Sequence, residues 1–453
     1  MLGRRQELAT LNQLLSMNTL EIVLLQGANQ IGKTTLINEF TKRKYKAYYS
    51  VQNSTNTSNT SLFISEMTCQ GLINNHSEIF LDSVLKIILT NATKDKFIFA
   101  IDNANLIQRN FPELLDNLLE ILDAHKTPLR LLLIFSGDDL TYIRSKLHNF
   151  KINFSEMNLV SLSYHESCEY FNYMDNEEKV LLYGITNGHP LYLSYIDQSK
   201  NLKDNLFNLF YSENSPLLDI GNVILSSLFR QPSLYHAILA AVANGASHMT
   251  DIARETNIDD NKLSKYISVL LKLKLLKKLV PFQEQETLKQ HKKTYYILDD
   301  MMLVFWYKFV FPYSSSIKTG LGKQILRNQI LPNILDYAAY IFLHICYQHM
   351  CKLRTIDGSY INFDKVGFEW NKEDCFNDFK IVAKNNTSIC YAQCVWSIKK
   401  VSPDLLTSLQ TNYYNHELTN HYIIFSRKGF TEKALSLNAT MPELRLISLR
   451  YLK

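Results

Sequence analysis

The segment Gly27–Thr34 constrains the fold of this chain more than any other part of the sequence. It reads GANQIGKT and fits the pattern G-x-x-x-x-G-K-[ST]. The apolar run 22–25 before it predicts a buried strand, and the residues TTLINEF that continue it predict a helix. Because strand, glycine loop and helix follow in this order, the segment predicts a phosphate-binding P-loop in an α/β sheet.

Each residue type in this loop has a defined chemical role. Gly27 and Gly32 let the backbone turn its N–H groups toward phosphate oxygens, and the helix N-terminus adds a partial positive charge. Lys33 would reach the β- and γ-phosphates, and the Thr34 hydroxyl would ligate Mg²⁺. The predicted nucleotide-binding residues are Gly27, Ala28, Asn29, Gln30, Ile31, Gly32, Lys33, Thr34 and Thr35.

A second apolar run, FAIDNANLI (99–107), ends in one acid where nucleotide hydrolases usually have two. The strand predicted over 97–101 delivers Asp102 to the carboxyl edge of the sheet, where a carboxylate can hold the Mg²⁺ water shell. Thr34 and Asp102 are therefore the predicted metal residues. The next position, which usually polarises the attacking water, holds Asn103. Its amide can orient water but cannot accept a proton.

A third run, LRLLLIFSGDD (129–139), predicts a neighbouring buried strand that ends in Ser136, Asp138 and Asp139. Strand ends of such sheets converge on one site. Two interpretations stay open. Either Asn103 orients the water and hydrolysis is slow, or Asp138 or Asp139 has taken over as the base. Asn103 and Asp138 are the candidate catalytic residues, and a strand-end turn is the alternative role of the aspartates.

The composition is that of an ordinary globular chain. Its 453 residues are too many for one core, and a net charge of +5 is too small to indicate nucleic acid. No apolar run approaches the roughly 18–20 residues that cross a bilayer, and the richest, 301–311, carries Lys308. The seven cysteines form neither a disulfide pattern nor a CxxC pair. We expect a cytoplasmic protein without a membrane partner, with the polar stretch 53–61 as a mobile loop.

Residues 231–300 predict a winged helix-turn-helix. One helix is stopped by Gly245, MTDIARETN is a second, and NKLSKYISVLLKLKLL is a third that Asp259 or Asp260 can cap. KKLVPF and KTYYILDD follow as strands of the wing. The candidate DNA contacts are Lys262, Lys265 and Tyr266 in the third helix and Lys289, His291, Lys292 and Lys293 in the wing. The alternative is a winged helix used for protein packing, since the third helix has no arginine.

These blocks together resemble a known family. The chain is similar to archaeal-type P-loop ATPases of the AAA/STAND kind, which join an ATPase, a winged helix and a restriction-endonuclease-like C-terminal domain. The resemblance covers nearly the whole length. It is carried by LGRRQELATL, GANQIGKTTL, AIDNANLI, LSYHES, YGITNGHPLYL, FWYKFVFP, VGFEWNK, FKIVAKN, YAQCVWS and IIFSRKGFTE. It implies ATP as the nucleotide.

The chain departs from this family at four positions. Asn103 stands where the family usually has a glutamate after the aspartate. In the nuclease-like domain, the resemblance places Lys380 at the metal-binding aspartate, Gln393 at the glutamate and Val395 at the lysine. Lysine cannot ligate Mg²⁺, and an amide is a far poorer ligand than a carboxylate. The resemblance therefore implies a nuclease fold that has lost its chemistry.

The predicted fold class is α/β, with a P-loop NTPase domain on a parallel sheet, a helical lid, a winged helix and an α/β nuclease-like domain. The predicted boundaries are 1–190, 191–230, 231–312 and 313–453. The predicted function is an ATP-binding switch with slow hydrolysis. The alternatives are a DNA-binding protein with a structural nucleotide site and an active Mg²⁺ nuclease, in which Glu369 and Asp378 would form a displaced metal pair. DNA, a protein partner and self-association stay open as partners.

Overall fold

The computed structural model describes residues 3–74, 79–284, 294–356, 359–360, 362–371 and 376–452. The chain divides into two compact units, Met1–Leu162 with His189–Leu191, and Ser163–Gly188 with Tyr192–Lys453. Residues 163–188, which the predicted boundary at 190 assigns to the first domain, belong to the second unit. The finer division into four domains stays a prediction.

The first unit is built on a parallel five-stranded sheet, as the P-loop predicts. Its strands are β1 (Glu21–Gly27), β2 (Lys46–Ser50), β3 (Phe97–Asp102), β4 (Leu131–Gly137) and β5 (Ser155–Leu159). Their order across the sheet is β2-β3-β4-β1-β5, with every neighbouring pair parallel. Its helices are α1 (Arg5–Ser16), α2 (Lys33–Thr41), α3 (Asn56–Cys69), α4 (Leu81–Lys94), α5 (Ile107–Asn110), α6 (Pro112–Ala124) and α7 (Thr141–Asn149).

Burial on both faces explains the apolar sequence of the central strands. Every residue of β3 and β4 is buried, as expected for parallel strands covered by helices on both sides. One face of the sheet packs against α1 and α2, and the other packs against α3, α4 and α6. The strand order brings the carboxyl ends of β3, β4 and β1 side by side at one edge, which is where ligands bind in such sheets.

The polar stretch 53–61 is not the mobile loop that its composition predicts, because most of it belongs to α3. Asn59 is fully buried in this helix. Its side chain exchanges hydrogen bonds with the backbone of Gln52 and donates one to the carbonyl oxygen of Asn110. These tertiary partners satisfy a polar side chain that would otherwise favour a turn.

The second unit contains helices, a hairpin and a mixed sheet. Its helices, with α10 starting inside the first unit, are α8 (Tyr164–Ser167), α9 (Asn176–Thr186), α10 (Pro190–Ser194), α11 (Leu202–Leu206), α12 (Ile220–Leu228), α13 (Ser233–Ala243), α14 (Met249–Thr256), α15 (Asp260–Lys272), α16 (Met301–Phe305), α17 (Ser314–Ser316), α18 (Gly322–Ile325), α19 (Ile334–Lys352), α20 (Pro403–Asn412) and α21 (Glu432–Thr440). Its strands are β6 (Leu276–Leu279), β7 (Tyr295–Leu298), β8 (Thr355–Ile356), β9 (Ser359–Tyr360), β10 (Lys365–Glu369), β11 (Lys380–Lys384), β12 (Ser388–Val395), β13 (Thr419–Ser426) and β14 (Leu444–Ser448).

Three helices and a hairpin in this unit follow the order of a winged helix. The helices α13, α14 and α15 precede the antiparallel pair of β6 and β7. Asp259 caps α15 by accepting the backbone N–H of Asn261. Gly245 follows α13 with a φ of 109°, a conformation that favours glycine. The wing residues Lys289, His291, Lys292 and Lys293 lie outside the described residues.

The C-terminal sheet has the order β10-β11-β12-β13-β14. Its first two pairs are antiparallel and its last two are parallel. The helices α20 and α21 cover one of its faces. This mixed α/β layer is compatible with the nuclease-like domain that the resemblance implies.

Within the described residues, one helical stretch, Met301–Lys352, is long and apolar enough to cross a bilayer by length and composition. Half of its most apolar window is buried inside the protein, and Trp306 and Tyr307 are fully buried. Pro312 and Pro332 interrupt it, and it winds through several π turns. The core helix of a soluble protein has the same properties. The cytoplasmic location stays a prediction.

Candidate nucleotide-binding site

The P-loop joins β1 to α2, and its two glycines meet different requirements. Gly32 has a φ of 95°, a conformation that favours glycine. A Cβ atom on Gly27 would lie 2.8 Å from the carbonyl oxygen of Leu159 on the neighbouring strand β5. Of the other loop residues, the exposed ones are Ala28, Asn29, Gln30, Thr34 and Thr35, whereas Ile31 is buried in the core beside α2.

The side chain of Lys33 folds back onto the first residues of the P-loop. Its ammonium donates hydrogen bonds to the carbonyl oxygens of Gly27 at 2.7 Å and Ala28 at 2.9 Å. Burial lowers the pKa of Lys33, while the nearby charges of Asp138 and Asp102 act in the opposite direction. The lysine charge is therefore held where a phosphate group would approach the loop.

Thr34 and Asp102 meet directly, although 68 positions separate them in the sequence. The Thr34 hydroxyl donates to Asp102 Oδ2 over 2.5 Å, and the Tyr48 hydroxyl donates to the same oxygen over 3.2 Å. Asp102 is 2% exposed. Burial and the Asp102 carboxylate raise the pKa of Tyr48, so Tyr48 remains a neutral donor. The two predicted metal residues thus form one oxygen-rich pair.

Asn103 occupies a strained position at the end of β3. Its φ of 51° lies in the left-handed region, where asparagine is among the best-tolerated residues after glycine. Its backbone N–H donates to Asp102 Oδ1 over 3.0 Å, and its exposed side-chain amide donates to Ser50 Oγ over 3.0 Å. The backbone shape at this position favours the amide residue over a longer acid.

Asp138 and Asp139 follow β4, whose end lies between those of β1 and β3. The Asp139 carboxylate accepts the backbone N–H of Thr141 over 3.0 Å at the start of α7. Hydrogen bonds from Thr141 lower the pKa of Asp139. Asp138 Oδ1 accepts the N–H of Asp139 over 2.9 Å, and its charge reaches Lys33. Both carboxylates thus take part in a turn at the strand end.

Arg4 contacts the P-loop, a role that its sequence position does not predict. Arg4 is 2% exposed. Its Nη2 donates to the carbonyl oxygens of Ile31 at 3.3 Å and Val160 at 2.5 Å, and its Nη1 pairs with Glu7 at 3.0 Å. A buried guanidinium therefore ties the P-loop to the end of β5. In the sequence, Arg4 stands in the block LGRRQEL, which carries the resemblance but no local pattern that predicts this contact.

His189 and Pro190 were also missed, although they belong to the first unit. The His189 side chain hydrogen-bonds to the backbone of Asn29 at the loop tip, and burial lowers its pKa. The Pro190 ring lies 3.9 Å from where a Cβ on Gly32 would be. The segment NGHP lies between the end of α9 and the start of α10, and its contact with the P-loop depends on tertiary folding.

The candidate DNA contacts on α15 differ in exposure. Lys262 and Lys265 are exposed. Tyr266 is half-buried, with its ring 5.1 Å from the ring of Tyr235 in an edge-on arrangement. The two lysines are therefore available to a partner, whereas Tyr266 also serves the packing of the helices.

Two of the three altered nuclease positions, Lys380 and Gln393, lie with Glu369 in one row across the C-terminal sheet. Glu369 pairs with Lys380, and the register that sets Ile381 opposite Ala392 sets Lys380 level with Gln393. Glu369, Lys380 and Gln393 line one cavity of about 500 Å³, whereas Val395 and Asp378 do not line it. Glu369 Oε2 accepts the backbone N–H of Gln283, in the turn that follows β6, over 3.0 Å.

This row does not assemble the side chains of a metal centre. Within the described residues, no group of three or more His, Cys, Asp or Glu side chains could hold a metal ion. Asp378 is exposed, and the ammonium of Lys380 donates to its backbone carbonyl oxygen over 2.6 Å. Glu369 is 8% exposed and accepts the hydrogen bond from the backbone of Gln283.

Comparison with known proteins identifies relatives of this chain. Residues 306–403 match the model of the DUF234 family, archaeal and bacterial proteins of unknown function. An uncharacterized protein of Methanocaldococcus jannaschii is 23% identical over 415 residues, which cover 89% of this chain and 90% of that protein.

Several solved structures are also similar. The Walker-type ATPase of Pyrococcus abyssi has a TM-score of 0.44 and 16% identity, covering 68% of this chain and 96% of that one. Cdc6p from Pyrobaculum aerophilum has a TM-score of 0.37 and 12% identity, covering 72% and 96%. The STAND protein with a tetratricopeptide repeat sensor from Pyrococcus horikoshii has a TM-score of 0.31 and 18% identity, covering 76% and 48%. The chain is similar to archaeal P-loop ATPases. Its α/β fold class rests on its own sheet order and P-loop.

Proposed function

We propose that this protein binds ATP with Mg²⁺ at the P-loop and acts as a nucleotide switch with slow hydrolysis. The observation that supports this most is the 2.5 Å contact between Thr34 Oγ1 and Asp102 Oδ2, within range of the Lys33 charge. A hydroxyl and a carboxylate are oxygen ligands of the kind that Mg²⁺ prefers. The residues present fit a Mg²⁺–nucleotide.

Each of these residues would have a separate task. Thr34 would bind the metal directly, and Asp102 would hold its water shell. Lys33 would exchange its two loop carbonyls for phosphate oxygens. Bound Mg²⁺ neutralises phosphate charge. Asn103 would orient the attacking water without removing its proton, so hydrolysis would depend on positioning and charge alone.

Binding is tested by thermal unfolding of the full chain with and without ATP and Mg²⁺. A ligand that binds only the folded state stabilises it, by about 2.7 kcal/mol at a hundred times its Kd. Lys33→Ala should lose most of the shift in Tm. Lys42→Ala, which removes an exposed lysine just after the same helix, should keep it. No shift of the parent protein at millimolar ATP would contradict the proposal.

Phosphate release in the same samples separates the switch from its alternative, a DNA-binding protein with a structural nucleotide site. A slow switch releases phosphate over the time of the assay and exchanges its nucleotide. A structural site retains the nucleotide unchanged.

DNA association through α15 is a second candidate function. Lys262, Lys265 and Lys272 are exposed at spacings that place them on one side of this helix. Lysines arranged this way can neutralise neighbouring phosphates. The double variant Lys262→Ala/Lys265→Ala should weaken duplex binding and reduce the slope of log K against log salt by about two. Lys86→Ala, exposed on α4, is the control. Unchanged binding in the double variant would remove α15 from the candidates.

A further inference from the structure

A basic cavity of about 670 Å³ lies in the second unit, at the carboxyl ends of β12, β13 and β14. Ligands of such sheets bind at these strand ends. Its charged lining consists of Lys400, Arg427, Lys428, Arg450, Asp175 and Glu177. Four positive charges against two negative charges leave a net charge of +2. The basic residues come from the segments that follow three different strands, so the fold itself gathers them.

Arg427 is the fixed residue of this cavity. Its side chain is 9% exposed, with Nη2 at 2.5 Å from Glu177 Oε2 and the guanidinium 4.9 Å from the centre of the Trp396 ring. Its Nε and the Ser448 hydroxyl are buried without a hydrogen-bond partner in the part of the chain that the structure describes. Both residues line the cavity. Buried polar atoms of this kind usually have a partner, which points to an acceptor supplied by a ligand.

Glu177 is the internal counter-ion. It pairs with Arg427 and, over 2.6 Å, with the Lys428 ammonium. The hydrogen bond from Arg427, followed by that from Lys428, holds the pKa of Glu177 below its usual value. The backbone N–H groups of Glu177 and Glu178 at the start of α9 already donate to the Asp175 carboxylate. The affinity of the cavity for an anion must therefore come from its side chains.

We propose that this cavity binds a phosphate group, either of a free nucleotide or of a nucleic-acid backbone. Lys400 and Arg450 supply exposed charge contacts, and Arg427 and Ser448 supply buried donors. A phosphate has several acceptor oxygens and can engage a guanidinium and an ammonium together. The ligand competes with Glu177, which otherwise pairs with Arg427 and Lys428.

Calorimetric titration of inorganic pyrophosphate into the full chain carrying Lys33→Ala tests this site with the P-loop weakened. Adding Lys400→Ala and Arg450→Ala should lower the affinity about tenfold, since an exposed charge contact contributes roughly 0.5–1 kcal/mol. Glu177→Gln should raise the affinity several-fold because the competing charge is removed, an effect that a purely structural glutamate would not produce. Lys399→Ala removes a neighbouring exposed lysine that does not line the cavity and should change nothing.

Fluorescence polarisation with a short labelled single-stranded oligonucleotide distinguishes the two sources. If the cavity variants lower the affinity for pyrophosphate but not for the oligonucleotide, the ligand is a free phosphate-bearing molecule. If they also lower the affinity for the oligonucleotide, the ligand is a nucleic-acid backbone. Each variant must keep the parent Tm, and Arg427 is left unchanged because it is buried. The proposal is overturned if both affinities stay within about twofold in the double variant, or if Glu177→Gln weakens binding.

Discussion

Replacing Asn103 by glutamate restores the missing acid at a structural cost that the geometry allows us to work out. A left-handed backbone with φ 51° and ψ 36° costs a residue other than glycine, asparagine or aspartate about 1 kcal/mol. The hydrogen bond to Ser50 is lost as well, at about 0.5–1 kcal/mol. We expect Asn103→Glu to destabilise the fold by about 1.5–2 kcal/mol and yet to speed hydrolysis by on the order of 10²-fold or more, the usual effect of a positioned general base.

The matched control is Asn103→Gln, which has the length and the backbone strain of glutamate without its charge. Both variants should lose similar stability in urea unfolding, and only Asn103→Glu should accelerate single-turnover phosphate release. Equal rates in the two variants would show that the missing acid is not what limits hydrolysis. A parent protein that already hydrolyses ATP fast would refute the slow switch itself.

Three further predictions concern other carboxylates. Asp138→Asn and Asp139→Asn should change the rate of single-turnover phosphate release little, because both side chains are engaged in the turn before α7. If the parent protein releases phosphate fast and either variant abolishes this, the general base is at that aspartate. Burial raises the pKa of Asp300 to about 6, so the folded state binds its proton more tightly than the unfolded state does. Stability should therefore fall as pH rises from about 4 to about 6, and Asp300→Asn should remove this loss, on the order of 2 kcal/mol, in urea unfolding compared across that range. Plasmid DNA with Mg²⁺ should stay intact, and cleavage that is lost in Glu369→Gln or Asp378→Asn would contradict the loss of nuclease chemistry.

The parts of the site that the sequence predicts are those encoded by adjacent residues. The P-loop follows from two glycines, a lysine and a threonine at fixed spacing between a strand and a helix. The position of Asp102 follows from an apolar run that ends in an acid, and the strand order then brings this acid to Thr34. Local sequence patterns are enough to predict these residues because the position of each depends mainly on the backbone conformation of its own strand, loop or helix.

The parts that the sequence misses depend on partners far along the chain. Arg4 binds the carbonyl oxygen of Ile31, and His189 binds the backbone of Asn29. Neither contact leaves a periodic pattern. The helix over 56–69 was missed for the same reason, since the burial of Asn59 depends on acceptors outside its own helix. The composition of a segment predicts the local conformation that it favours by itself. The conformation of these segments depends instead on the tertiary contacts that they make in the folded protein.

The discontinuity of the first unit bears on the order in which its site is completed. A chain cut after β5 would retain the complete P-loop motif and Asp102 but would lose the histidine that touches the loop tip. That histidine is reached only after the chain has passed through 163–188. Asn187 and Gly188, both with positive φ, are the two residues between the end of α9 and His189. During synthesis, the contact at the tip of the P-loop can therefore form only after the whole of α9 has been made, later than every strand of the sheet that carries the loop.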